Sequence, residues 1–145
     1  MTKVIALAGV HDSGKTSVLL GLLSKLRGMP RVTSLSNISS VAVSQGRDLR
    51  EVFEYITSTR TYRIGVCTGG DTKKIIQDNF AFFNANNCDV CVTACRSTAS
   101  SDTVKEVIIQ SGTVIPSYVA KMKTPVVHQS SVDSHTVDQL VSMIP

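Results

Sequence analysis

The stretch Gly9-Val10-His11-Asp12-Ser13-Gly14-Lys15-Thr16 stands between a continuous apolar run, Val4-Ile5-Ala6-Leu7-Ala8, and a segment whose apolar residues recur at helical spacing, Val18, Leu19, Leu22, Leu23 and Leu26. A short apolar run closed by glycine is how a parallel strand covered on both faces reads. The three- and four-residue intervals after it give one apolar face of a helix, which Gly28 and Pro30 stop. Strand, glycine-bounded loop and helix in direct succession point to an α/β fold whose first loop lies at the carboxyl ends of parallel strands.

The rest of the chain continues the alternation. Residues 31–48 hold many serines and no period, so they read as a long connection with a short strand near Val41-Ala42-Val43. Strands follow at Val52 to Ile56 and Tyr62 to Cys67, with only Thr57-Ser58-Thr59-Arg60-Thr61 between them, too short for a crossover helix, so this pair is expected antiparallel. Ile75, Ile76, Phe80 and Phe83 predict a helix to about Asn84, and Val90 to Ala94 a strand. Val104, Val107 and Ile108 predict a further helix. A strand around Val114-Ile115 and Tyr118 to Ala120 is placed at an edge or bent by Pro116. Val137, Leu140, Val141 and Ile144 predict a last helix, with Asp133 or Ser134 as its cap. The expectation is one domain over residues 1–145, a three-layer α/β sandwich with a mostly parallel sheet and one antiparallel hairpin. At 145 residues with 42% hydrophobic and 18% charged side chains, the chain can build a core without disulfides or a structural metal. Disorder and coiled coil are excluded as descriptions of the whole.

The loop carries the chemistry. Glycine at positions 9 and 14 permits a tight turn without Cβ clashes, so successive backbone N–H groups can converge on an anion at the first turn of a helix, where four donors lack intrahelical acceptors and the macrodipole is positive. An ammonium at Lys15 can face that anion, and the Thr16 hydroxyl is a hard oxygen donor for a cation bound to it. The spacing G-x-x-x-x-G-K-T in this context resembles the Walker A signature of the P-loop nucleoside triphosphatases, and Lys3 to Leu26 is similar to the opening of small P-loop proteins such as the molybdopterin-guanine-dinucleotide biosynthesis adapter family. The resemblance implies a P-loop-like fold and Mg²⁺ with ATP or another nucleoside triphosphate as ligand. It implies a phosphate-binding set of Gly9, Val10, His11, Asp12, Ser13, Gly14, Lys15, Thr16 and Ser17, with Lys15 catalytic and Thr16 on the metal. His11 and Asp12 are read first as solvated or loop-ordering residues, with contact to the transferring phosphate or a second substrate as the alternative.

A second acidic group is needed beside the metal. Asp71 follows an apolar strand through Gly69-Gly70 and is the first choice for metal and catalysis; the alternative is that it caps the helix beginning near Thr72. Asp89 opens its strand and so belongs to the opposite end of a parallel sheet, as a turn residue. Asp48 is a weaker candidate in the long connection. Arg96 leaves its strand at the active edge, where a guanidinium could neutralise phosphate charge. Arg47, Arg50, Lys73 and Lys74 are read as surface cations.

Fifteen Lys+Arg against eleven Asp+Glu would favour polyanions, but the excess is spread along the chain with no run of five basic residues, so nothing singles out nucleic acid. No [NT]-K-x-D sequence supports guanine recognition. Cys67, Cys88, Cys91 and Cys95 fall in or beside apolar segments, as small buried hydrophobes do in a reducing compartment. A zinc site is disfavoured, because Cys88 and Cys95 bracket one strand and would stand ~23 Å apart. No apolar stretch reaches the ~20 residues of a membrane span, and the expected location is cytoplasmic. The expected function is Mg-dependent binding and hydrolysis of ATP or another triphosphate, coupled to a change in residues 31–50. The alternatives are a nucleotide or small-metabolite kinase and a nucleotide-binding adapter with little turnover. A second copy or another protein is a candidate for completing the site.

Overall fold

The computed structural model describes residues 3–9, 14–35, 49–70, 72–96, 105–106, 117–120 and 126–144. Strand β1 is Lys3–Gly9, helix α1 Lys15–Arg27, β2 Val32–Ser34, β3 Arg50–Ile56, β4 Thr61–Cys67, α2 Lys73–Ala85, β5 Val90–Arg96, β6 Ser117–Ala120 and α3 Val126–Met143. The strands form one six-stranded sheet in the order β2-β3-β4-β5-β1-β6. From β4 to β6 the pairing is parallel. Strands β2 and β3 extend this block antiparallel.

The layers follow from handedness. Right-handed crossovers put connections that travel in opposite directions along a sheet on opposite faces. The chain leaves β1 toward the β4 side through α1 and returns from β4 to β5 through α2, so the two helices lie on opposite faces. Alternation of side chains then sorts the core into two clusters. Ile5, Leu7, Phe53, Ile64, Val66, Val90 and Val92 pack under α1 and α3 with Leu19, Leu22, Leu23, Leu26, Val137 and Leu140. Val4, Ala6, Val52, Cys67, Cys91 and Cys95 pack under α2 with Ile76, Phe80 and Phe83. The Phe80 and Phe83 rings meet edge to face with centroids 5.6 Å apart.

The expected hairpin is present, with Arg50 opposite Cys67 and Ile56 opposite Thr61. Its turn is closed by Thr57, whose N–H donates to the Arg60 carbonyl (2.9 Å) and whose hydroxyl accepts from the Arg60 N–H (3.1 Å). Strand β6 is the edge beside β1, in keeping with the effect expected of Pro116. Two elements and one side chain differ from the sequence reading. The start of the long connection contains β2, held by pairing of Val32 to Ser34 with β3 rather than by any period of its own. The last helix begins at Val126, so Asp133 and Ser134 lie inside it and neither caps it; its first turns carry Ser and Gln, which hide a helix whose packing face starts later. Arg50 is not a surface cation: it is partly buried and its Nε donates to Asn79 Oδ1 at 3.1 Å. The suggested strand near Val41, the Val104 to Ile108 helix and Val114 to Pro116 lie outside the described residues, apart from 105–106, which are helical.

Candidate functional site

Gly9 ends β1 at the carboxyl edge of the parallel strands, and Gly14 opens α1. Gly14 takes φ 91°, in the left-handed region where a Cβ is unfavourable, and turns the chain from loop into helix. Among the described residues no side chain caps α1, and no acidic residue stands in its first turn. The Val18 N–H reaches the Gly14 carbonyl at 3.1 Å, closing the first helical turn. The N–H groups of Lys15, Thr16 and Ser17 precede that first intrahelical bond, and this uncapped end is where an anion is favoured. Lys15 is only 6% exposed, unusual for lysine, and its Nζ donates to the Gly9 carbonyl at 2.9 Å. The ammonium thus lies across the two ends of the loop. Thr16 and Ser17 are exposed on the turn that follows.

Arg96 ends β5 directly beside Gly9 in the register of β1 with β5, and its Nε is withdrawn from solvent. Adjacent strands are ~4.8 Å apart, so Arg96 and the first loop glycine share one edge. Cys95, the residue before it, is a second marker of this edge. Burial pushes its thiol up to about 11, and the Lys15 ammonium partly offsets that rise. Cys88 and Cys91, farther down the same face, are pushed up chiefly by burial, Cys88 to about 12. None of the four cysteines is in a disulfide, and among the described residues no group of three or more His, Cys, Asp or Glu could hold a metal ion. Their place is in the apolar core under α2.

Val10, His11, Asp12, Ser13, Asp48 and Asp71 lie outside the described residues. The approach to Asp71 is described. Gly70 packs against β5 so closely that a Cβ on it would fall 1.8 Å from the Ala94 carbonyl oxygen. Ala94 is paired with Leu7 of β1, so the Gly69-Gly70 segment crosses β5 toward the strand that carries the loop. The cap of α2 is Thr72, whose hydroxyl accepts from the Ile75 N–H at 3.2 Å. Capping is therefore done by the neighbour of Asp71. Asp89 sits at the other end of β5, where its carboxylate accepts from the Arg63 N–H (2.8 Å) and pairs with Arg60 (3.2 Å). Lys73 and Lys74 are exposed, and Lys74 pairs with Asp78 one turn on.

Sequence reasoning passed over Asn79, which is 1% exposed in α2 and bonded to Gly69, Thr93 and Arg50 at this edge. The signal available was a polar residue at the buried position of an otherwise apolar helical face, three residues after Ile76 and next to Phe80. Glu51 was also unremarked: it is 2% exposed and paired with Arg27, with Ser34 donating to it at 3.2 Å. That pair ties β3 and β2 to α1.

The Thr16 hydroxyl, exposed on the first turn of α1, is an oxygen donor of the kind that suits a hard cation such as Mg²⁺ rather than a thiophilic metal. No helix among the described residues is long and apolar enough to cross a membrane. No protein-family model, curated protein or solved structure matches the chain.

Proposed function

We propose that the protein binds ATP or another nucleoside triphosphate with Mg²⁺ and hydrolyses it, within a fold of the P-loop nucleoside triphosphatase kind. The observation that carries this reading is the junction of β1 and α1: a left-handed Gly14, a helix start with no side-chain cap, and a nearly buried Lys15 whose ammonium lies between the loop's ends. A lysine at a helix start adds an ammonium to the positive end of the helix dipole, a combination that a polyphosphate complements.

In this reading the N–H groups of residues 10–16 and the Lys15 ammonium bind the β- and γ-phosphates and stabilise charge as the terminal bond breaks. Thr16 and Asp71 hold Mg²⁺, which when bound neutralises phosphate charge. Arg96, beside Gly9, faces the same phosphates from β5 and adds positive charge at the sheet edge. A kinase reaction would use the same groups, and acceptor-dependent loss of triphosphate separates it from transfer to water. The reading is tested by equilibrium binding of a non-hydrolysable triphosphate with Mg²⁺ and by phosphate release from ATP, GTP, CTP and UTP. Saturable binding that Lys15→Ala abolishes supports it. A purified, folded chain that binds no nucleoside di- or triphosphate overturns it.

A further inference from the structure

One face of α1 carries very little side chain. Ser17, Gly21, Ser24 and Gly28 recur at intervals of four, three and four residues, so they lie in a row along the helix. Helix α3 approaches that row closely, since a Cβ on Gly21 would stand 3.1 Å from Val137 Cγ2. Beside this contact the missing side-chain volume leaves an open groove of about 560 Å³ between the two helices, a size within the range of small-molecule sites. Asp133 and Asp138 of α3 line it opposite the serines, and Val137 and Met29 give it apolar surface.

The groove starts at the end of α1 that carries Lys15. Ser17, two residues further on, lines it, and Ser24 lines it seven residues later, ~10 Å along the helix axis and on the length scale of a nucleoside. Charge changes sign along this path. The helix start is positive, through Lys15 and the helix dipole, whereas the wall made by α3 holds two carboxylates, which repel a phosphate and accept hydrogen bonds from hydroxyl and amino groups. A molecule with phosphate at one end and an uncharged, donor-bearing ring system at the other fits that order; a second polyanion does not. We propose that the groove between α1 and α3 holds the ribose and base of the nucleotide whose phosphates bind at Lys15, with Asp138 accepting from its hydroxyl or amino donors. This rests on the nucleotide reading above and adds which face of the fold reads the nucleoside.

The test uses the whole chain in MgCl₂ and compares two kinds of probe by calorimetric titration. One is inorganic tripolyphosphate, which has the phosphates alone; the other is the set of non-hydrolysable ATP, GTP, CTP and UTP analogues. The best of these analogues should bind the wild type about 10-fold or more tighter than tripolyphosphate, the scale of one or two hydrogen bonds to a charged acceptor. Asp138 and Ser24 are both exposed, so substitutions there leave the core intact, and the thermal midpoint of each variant checks this. Asp138→Ala should weaken the nucleotide analogue about 10-fold and leave tripolyphosphate as it is, with Asp138→Asn, which keeps an acceptor, losing less. Ser24→Phe, which fills the groove, should remove the nucleotide's advantage altogether.

Three results overturn the proposal. If the wild type binds tripolyphosphate and every analogue alike, or if an analogue binds tighter and neither groove variant changes that, the groove does not hold the nucleoside and the phosphate reading stands. If the variants weaken tripolyphosphate and nucleotide together, in step with the thermal midpoint, the groove residues serve only the packing of α1 on α3. If the folded wild type binds none of the probes, the nucleotide reading falls and this one with it.

Discussion

The two ends of the sheet spend their cations differently. At the amino end of the parallel strands, Arg60 pairs with Asp89 at 3.2 Å and stacks 4.3 Å over the Tyr62 ring, and Arg63 donates to the Asn86 carbonyl while its backbone N–H goes to Asp89. At the carboxyl end, Lys15 donates to a carbonyl of Gly9 and Arg50 to the amide of Asn79. A carbonyl or an amide satisfies the donor without cancelling its charge. One end is thus closed upon itself by opposite charge, while the bonds described at the other end fall on neutral acceptors, which leave the positive potential of Lys15 and Arg50 itself in place in a partly buried setting. Burial and hydrogen bonding alone would make the ends look alike; the sign of the acceptor separates them.

The largest expected effect comes from removing that potential. Lys15→Ala should lower phosphate release by roughly 10²–10³-fold or more, as loss of a charge-stabilising donor does, with the urea midpoint little changed. A loss of less than tenfold would erase the functional contrast. Gly70→Ala should destabilise by about 1–3 kcal/mol in urea unfolding, because backbone of β5 occupies the place of the new Cβ.

The thiols report on both ends at once. Burial raises Cys88 to about 12 and Cys95 to about 11, and the nearest cation lowers each, Arg63 for Cys88 and Lys15 for Cys95, but at Cys88 the carboxylate of Asp89 pushes back. Both groups are raised above the unfolded value near 9, so above pH 9 the unfolded chain loses protons that the native one keeps. Their contribution to stability is whole below pH 9 and is lost as pH climbs through 11 to 12, and urea midpoints at pH 8 and 10 should show the start of the fall. Lys15→Ala should push the Cys95 thiol higher and leave Cys88 alone, read by thiolate absorbance.

At the closed end, Asp89→Ala should cost about 1–2 kcal/mol through the unpaired Arg63 N–H, with phosphate release per folded molecule unchanged. Arg60→Ala should cost under about 1 kcal/mol, since its ion pair is half exposed. Catalytic loss from either variant would break the comparison from the other side.

Much of this contrast was legible in the residues themselves. The apolar run at Val4, the glycine-bounded loop and the leucine spacing fix β1 and α1 by local chemistry, and a five-residue gap is enough to pair β3 with β4. Position at the start of a parallel strand also set Asp89 at the end away from the loop. What local pattern cannot show is what long-range packing decides. Val32 to Ser34 is a strand because β3 offers it a partner, and Val126 starts a helix because later turns find α1. Arg50 reads as one more surface cation until the fold brings α2 over it, and Asn79 reads as an ordinary helix residue until Gly69, just past β4, and Thr93 of β5 arrive beside it.

The place of β1 between β5 and β6 has a consequence for biosynthesis. Lys3 pairs with Val90 and Ile5 with Ser117, so β1 leaves the ribosome well ahead of both strands that flank it. The hairpin of β3 and β4 can zip up early, whereas Val4 to Leu7 stay exposed as a sticky apolar segment through much of translation. Such distant pairings are slow to form, and chaperone dependence of the nascent chain should centre on this stretch.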